Sequence, residues 1–180
     1  MVVFDATFLL LLLQPNADPP IDPTTGLTVD AARERIDYLV ENLQNAKTRI
    51  VIPTPALSET LIHAGEAADG YLKILKGQAV FRIVSFDERA AIEVAAQTAT
   101  AIAAGNKRGD AVGSWAKIKY DRQIVAIAKV ENVTTIYSDD QNVRKFGQSS
   151  GLTVIGIHEL PLPPSSAQGR LALDAPEKTP

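Results

Sequence analysis

Four acidic segments break an otherwise apolar context at the ends of predicted elements. Asp5 lies in "VVFDATFLLLLL", Glu59 in "PTPALSETL", Asp121 in "KYDRQIVAIA", and Asp139 and Asp140 close "TTIYSDD". An isolated ionised Asp inside an apolar run costs several kcal/mol or more to bury, so its charge must be offset. Carboxylates brought close together repel and take up protons near neutral pH unless a cation sits among them. Hard divalent ions such as Mg²⁺ or Mn²⁺ answer that need, because they prefer oxygen ligands and bridge a few carboxylates to a substrate phosphate. The competing readings are ordinary ones: a strand-end cap for Asp5, a helix-surface side chain for Glu59, an N-cap for Asp121 and turn formers for Asp139 and Asp140.

Other chemistries find less support. The chain has no cysteine, which excludes disulfides, thiolate metal sites and Cys nucleophiles. His63 and His158 are its two histidines, and neither has a partner at metal-ligand spacing. Trp115 stands apart from other aromatic residues and is read as packing, not as a base-stacking platform.

These carboxylates need elements that aim them. Residues 2–8 read as a buried strand, since their apolar residues run continuously without alternating. A proline-rich loop follows over residues 14–26. Then "TVDAARERIDYLVENLQNA" is an amphipathic helix with Thr28 as its cap. "RIVIP" is a strand running directly into a helix with Thr54 at the cap and Pro55 at the first helical position. A helix over residues 67–76 and the strand "AVFRIVS" come next. In "DERAAIEVAAQTATAIAAG" the stripe Ile92, Ala95, Ala96, Ala99, Ile102 and Ala103 predicts close helix packing. A mostly buried helix is expected to begin near Asp121, followed by the strand "TTIYS", a helical turn and the strand "GLTVIGI". Strands alternating with helices imply an α/β fold of three layers, α/β/α, with a central, mainly parallel sheet and ligands gathering outside the carboxyl ends of the strands.

With 180 residues, 46% of them apolar, the chain fits one domain, expected over residues 1–158, with a proline-rich, mobile tail over residues 159–180. The leucine run of residues 9–13 is far too short to span a bilayer, and no secretory leader pattern surrounds it, so a cytoplasmic protein with no membrane partner is expected. The net charge of −3 means that any nucleic acid must be held by a local basic patch. Lys107, Arg108, Lys117, Lys119, Arg122, Arg144 and Lys145 crowd around the last two acidic segments and make a candidate phosphate-binding rim.

Together, "VVFDATFLL", "PTPALSETL" and "YDRQIVAIAKVENVTTIYSDD" resemble the acidic motifs of the PIN-domain family of metal-dependent nucleases, which includes VapC-type toxins. The resemblance spans residues 1–157. It implies a ribonuclease that hydrolyses RNA phosphodiesters with Mg²⁺ or Mn²⁺, leaves a 5′-phosphate and a 3′-hydroxyl, pairs with an antitoxin and forms a homodimer. Asp5, Glu59 and Asp121 would be the principal acidic residues, and Ser138 would orient a neighbouring carboxylate or a water. The fourth acidic residue is Asp140 by its offset from Ser138, with Asp139 as the alternative. The segment between the first two motifs is longer than in compact VapC-type toxins.

Three other readings compete. A phosphoaspartyl phosphatase wants a second Asp where Thr7 stands, and a receiver domain wants a phosphoacceptor Asp after a middle strand, which "RIVIP" and "AVFRIVS" do not offer. The third is a PIN-fold nucleic-acid-binding or scaffold protein with a silent site.

Overall fold

β-branched, apolar triplets and quartets form the strands, and the computed structural model, which describes residues 1–109 and 111–164, joins five of them in one parallel sheet. The strands are β1 (Val2–Phe4), β2 (Ile50–Pro53), β3 (Phe81–Val84), β4 (Thr135–Tyr137) and β5 (Thr153–Ile155), in the order β3-β2-β1-β4-β5. All four pairings are parallel, and β1, β2 and Ile136 of β4 are buried. Burial on both faces explains the continuous apolar runs.

Helices α1 (Ala6–Leu13), α2 (Ala32–Asn45), α3 (Thr54–Ala64) and α4 (Ala68–Gly77) connect β1 to β2 and β2 to β3. Helices α5 (Glu88–Ala103), α6 (Trp115–Val130) and α7 (Gln141–Ser149) serve β4 and β5. The first group packs within itself, the second likewise, and α3 meets α6 where the groups join. Right-handed crossovers in opposite directions from β1 place the two groups on opposite faces of the sheet. The α/β expectation with a central parallel sheet is met.

The first strand is shorter than expected. β1 ends at Phe4, and residues 6–13 are helical, with Ala6, Phe8, Leu9, Leu11 and Leu13 buried. An unbroken apolar run reads equally as buried strand or buried helix. Here Ala and Leu, both strong helix formers, follow a capping Asp, and the helix wins.

Two helix starts also move. Thr28 pairs with Ile21 across the proline-rich loop instead of capping α2, which begins at Ala32 after Ala31 takes a left-handed φ of 50°. Helix α6 starts at Trp115, six residues before Asp121, with the Ser114 side chain accepting from the Lys117 amide at 3.2 Å. Thr54 is the first residue of α3, and its hydroxyl accepts from the Phe86 amide at 3.0 Å.

The stripe on α5 faces outward. Ile92 and Ile102 are 63% and 58% exposed, whereas Ala90 is buried and Val94 packs against the core. Periodicity finds an apolar face without saying which neighbour, if any, covers it.

At the far end, Leu160 is buried and its carbonyl accepts from the Arg35 guanidinium. The expected tail from residue 165 onward lies outside the described residues. Among the described residues, no helix is long and apolar enough to cross a membrane.

Candidate carboxylate site

The sheet reverses its winding between β1 and β4, the place where doubly wound folds hold ligands. Phe4 pairs with Tyr137, so the next residues, Asp5 and Ser138, emerge side by side at the carboxyl ends of the two strands. The Asp5 amide donates to the Tyr137 carbonyl at 3.2 Å and extends this register into the site.

Asp5 is the N-cap of α1. Its Oδ1 accepts from the Thr7 amide at 3.0 Å, the Thr7 hydroxyl at 2.7 Å and the Phe8 amide at 3.2 Å. Its Oδ2 accepts from the Ser138 hydroxyl, which in turn accepts from the Asp140 amide at 3.0 Å. Phe4, Phe8 and Tyr137 pack against one another beside it, with ring centroids 5.4 to 5.6 Å apart. Asp5 is 2% exposed, and this burial pushes its pKa up to about 7 against the pull of its hydrogen bonds from Ser138, Thr7 and Phe8. Capping does describe Asp5, although of a helix and not of the loop expected at the strand end. It does not explain why a buried, aromatic-walled corner should hold a carboxylate, since Ser or Thr caps a helix without the charge.

Asp121 lies inside α6, well past its first turn, so its capping reading fails. Burial, followed by the charge of Asp140, pushes its pKa up to about 6. Its Oδ2 accepts from Asn142 Nδ2 at 2.9 Å, and its Oδ1 lies 3.5 Å from Lys117 Nζ. Asp140 caps α7, with Oδ1 accepting from the Asn142 and Val143 amides at 2.8 and 3.1 Å. Its Oδ2 pairs with the Lys117 ammonium.

Asp139 turns one oxygen to the turn at Gly156, while its charge helps to raise the pKa of Asp5. Its Oδ1 accepts from the Ile157 amide at 2.9 Å, and burial raises its pKa. Gly156 leaves room for this turn, because a Cβ there would stand 2.8 Å from Asp139 Oδ1 and from His158 Nδ1. Glu59 is exposed on α3, within electrostatic reach of Lys117. The structure thus gathers Asp5, Asp121 and Asp140 around Ser138, Asn142 and Lys117, with Glu59 at the edge. Among the described residues, no three carboxylate or imidazole groups approach closely enough to clasp an ion as they stand.

The expected basic rim divides. Lys107, Arg108, Lys119 and Lys145 are exposed. Arg122 is 2% exposed and belongs to the interior: it donates to the Thr98 hydroxyl at 2.9 Å and the Lys107 carbonyl at 2.7 Å, between the Trp115 and Phe146 rings. Arg144 is half-buried and paired with Glu159. Lys117 belongs to the carboxylates themselves.

Asn142 is the residue that sequence reading missed. It is buried, holds Asp121, and clasps Val112 through its carbonyl, at 2.8 Å, and its amide, at 2.9 Å. The available signal was its place in the first turn of α7, two residues after the capping Asp140. Thr7 was passed over too, although its hydroxyl both donates to Asp5 and accepts from the Asp139 amide at 3.4 Å.

No family model matches the chain, and no curated protein matches it in sequence. Solved structures do match its fold. A chain of the VapBC2 complex from Rickettsia felis, bound to a DNA fragment from their promoter, superposes with a TM-score of 0.56 at 14% identity, covering 87% of this chain and 98% of that one. A chain of the DNA-bound VapBC complex from Salmonella typhimurium gives 0.52 at 17% identity, covering 87% and 97%. VapC20 of Mycobacterium tuberculosis, a toxin that cleaves the sarcin-ricin loop, gives 0.51 at 15% identity, covering 85% and 97%. The chain shares the fold of these VapBC and VapC structures.

Proposed function

We propose that this chain is a metal-dependent endoribonuclease acting as the toxin of a VapBC-type toxin–antitoxin pair. The observation that carries the reading is the convergence of Asp5, Asp121 and Asp140 at the β1/β4 switch point, two of them held buried with raised proton affinity.

The donor set fits a hard divalent cation. It is made of carboxylates alone, and an ammonium already rests against Asp121 and Asp140 as a stand-in positive charge. Asp5, Asp121 and Asp140 would hold Mg²⁺ or Mn²⁺, with Glu59 binding at the edge or orienting the attacking water. Such an ion would supply Lewis-acid chemistry, charge neutralisation and activation of water, which phosphodiester hydrolysis requires. Ser138 and Thr7 fix the rotamer of Asp5, Asn142 fixes Asp121, and the aromatic wall keeps water from one side. Lys107, Arg108, Lys119 and Lys145 supply an exposed cationic flank for the RNA backbone.

Two partners belong to this reading. An antitoxin is supported by neighbours that are VapBC complexes. A second copy of the chain is supported by the exposed apolar face of α5; Ile92→Asp together with Ile102→Asp is expected to turn a dimer into a monomer in sedimentation analysis.

A scaffold with a silent site is favoured by one feature, the commitment of both Asp5 oxygens to protein donors. Asp5→Asn separates the readings. Asn preserves the helix cap, so the variant should fold as the wild type does while losing Mg²⁺- or Mn²⁺-dependent cleavage of RNA. Equal cleavage by both proteins would favour the scaffold.

A further inference from the structure

Lys117 stands one helical turn before Asp121 on α6 and bridges two carboxylates. The oxygens that it meets are the ones the protein leaves available. Asp121 gives Oδ2 to Asn142 and turns Oδ1 to Lys117; Asp140 gives Oδ1 to the first turn of α7 and turns Oδ2 to Lys117. Glu59 adds its field to the same ammonium from α3. These two oxygens are the ones that a divalent ion held by Asp121 and Asp140 would reach most directly, and two cations within a few ångströms of each other repel strongly.

We propose that Lys117 is the resident counter-ion of the carboxylate site, a positioning residue that must leave for a divalent cation to bind and that, once displaced, stands at the edge as a phosphate contact. The proposal rests on the metal-site reading above. Its geometry allows both states. The side chain is 48% exposed, so its four-carbon stem can swing into solvent without unpacking the core. Asp121 and Asp140 are only 6% and 19% exposed, so the charge that Lys117 leaves behind has to be offset by the incoming ion. The arrangement keeps Asp121 and Asp140 neutralised and aligned without an ion, and it sets a threshold of cation concentration below which the site stays closed.

The test is Mn²⁺ binding to the full chain without RNA, measured by calorimetry for the wild type, Lys117→Met and Lys117→Arg. Removing the ammonium should tighten Mn²⁺ binding about tenfold, a coupling of ordinary size for two ligands competing at one place, and Lys117→Arg should bind as weakly as the wild type or more weakly. In the wild type, Mn²⁺ should raise the reactivity of Lys117 towards an amine-acylating reagent, read by mass spectrometry. Equal Mn²⁺ affinity in wild type and Lys117→Met overturns the counter-ion role and leaves the metal site standing. Absence of Mn²⁺ binding in both overturns the two together. Should Lys117→Met fail to fold, acylation of the wild type decides: Lys117 reactivity unchanged by Mn²⁺ contradicts the proposal.

Discussion

The two halves of the carboxylate site are held by different means. On the β1 side, Asp5 receives neutral donors from Thr7, Phe8 and Ser138, against a wall of three aromatic rings. On the α6/α7 side, Asp121 and Asp140 share the half-exposed Lys117, and the buried Asn142 meets both, Asp121 through its side-chain amide and Asp140 through its backbone N–H. The first half is built by the fold, from neutral donors and buried rings. The second is balanced by a charge that can be exchanged. Position is thus fixed where the chain is buried, and charge is adjustable where it meets solvent, which is the division of labour that a site loading an ion needs.

Breaking the fixed half should have the largest effect. Asp5→Ala removes a cap and strands the Ser138 hydroxyl, so it should lose RNA cleavage and also about 1 to 3 kcal/mol of stability in denaturant unfolding. Asp5→Asn should lose cleavage alone. Ser138→Ala leaves Asp5 Oδ2 without its donor and the Asp140 amide without its acceptor; activity should fall about 10- to 100-fold, and the acid limb of the pH–rate profile should move upward as Asp5 becomes harder to ionise.

In the adjustable half the effects should be smaller. Asn142→Ala frees Asp121 and unclasps Val112, with an expected loss of about tenfold in Mn²⁺ affinity. Hydrogen exchange at the Val112 amide should quicken, since Asn142 Oδ1 is its acceptor at 2.9 Å. A further, milder contrast is in pH. Asp5 and Asp121 titrate at about 7 and about 6 in the folded chain against 3.8 ordinarily, so between those values the folded state binds more protons than the unfolded one. Their contribution to stability is complete below the ordinary value and is lost as pH rises through about 6 and about 7. Without divalent ions the melting temperature should therefore fall from about pH 5 to about pH 8, less steeply in Asp5→Asn, and added Mn²⁺ should restore it at the upper end.

The sequence made the strand–helix alternation legible, because buried parallel strands and amphipathic helices leave distinct patterns, and it made the strand-end acids legible because charge is conspicuous beside Val, Ile and Leu. Where it misled, the pattern was degenerate. Residues 2–8 suit a strand and a helix equally by hydropathy, and only the cap geometry of Asp5 decides. The Ala-rich face of α5 reads the same whether covered or open. Arg122 looks like one more rim cation until the Trp115 and Phe146 rings are found beside it, brought there by α6 and α7. The directions of the adjacent Asp139 and Asp140 side chains are set by the turn at Gly156 and by the cap of α7, neither of which the sequence pattern displays. Asn142 and Lys117 acquire their roles only from tertiary neighbours.

The most direct measurement is cleavage of an RNA substrate by the purified chain with Mg²⁺ or Mn²⁺, beside Asp5→Asn verified as folded by circular dichroism. The account predicts cleavage by the wild type that chelation abolishes, and none by the variant; cleavage that survives either chelation or the Asp5→Asn change would contradict it.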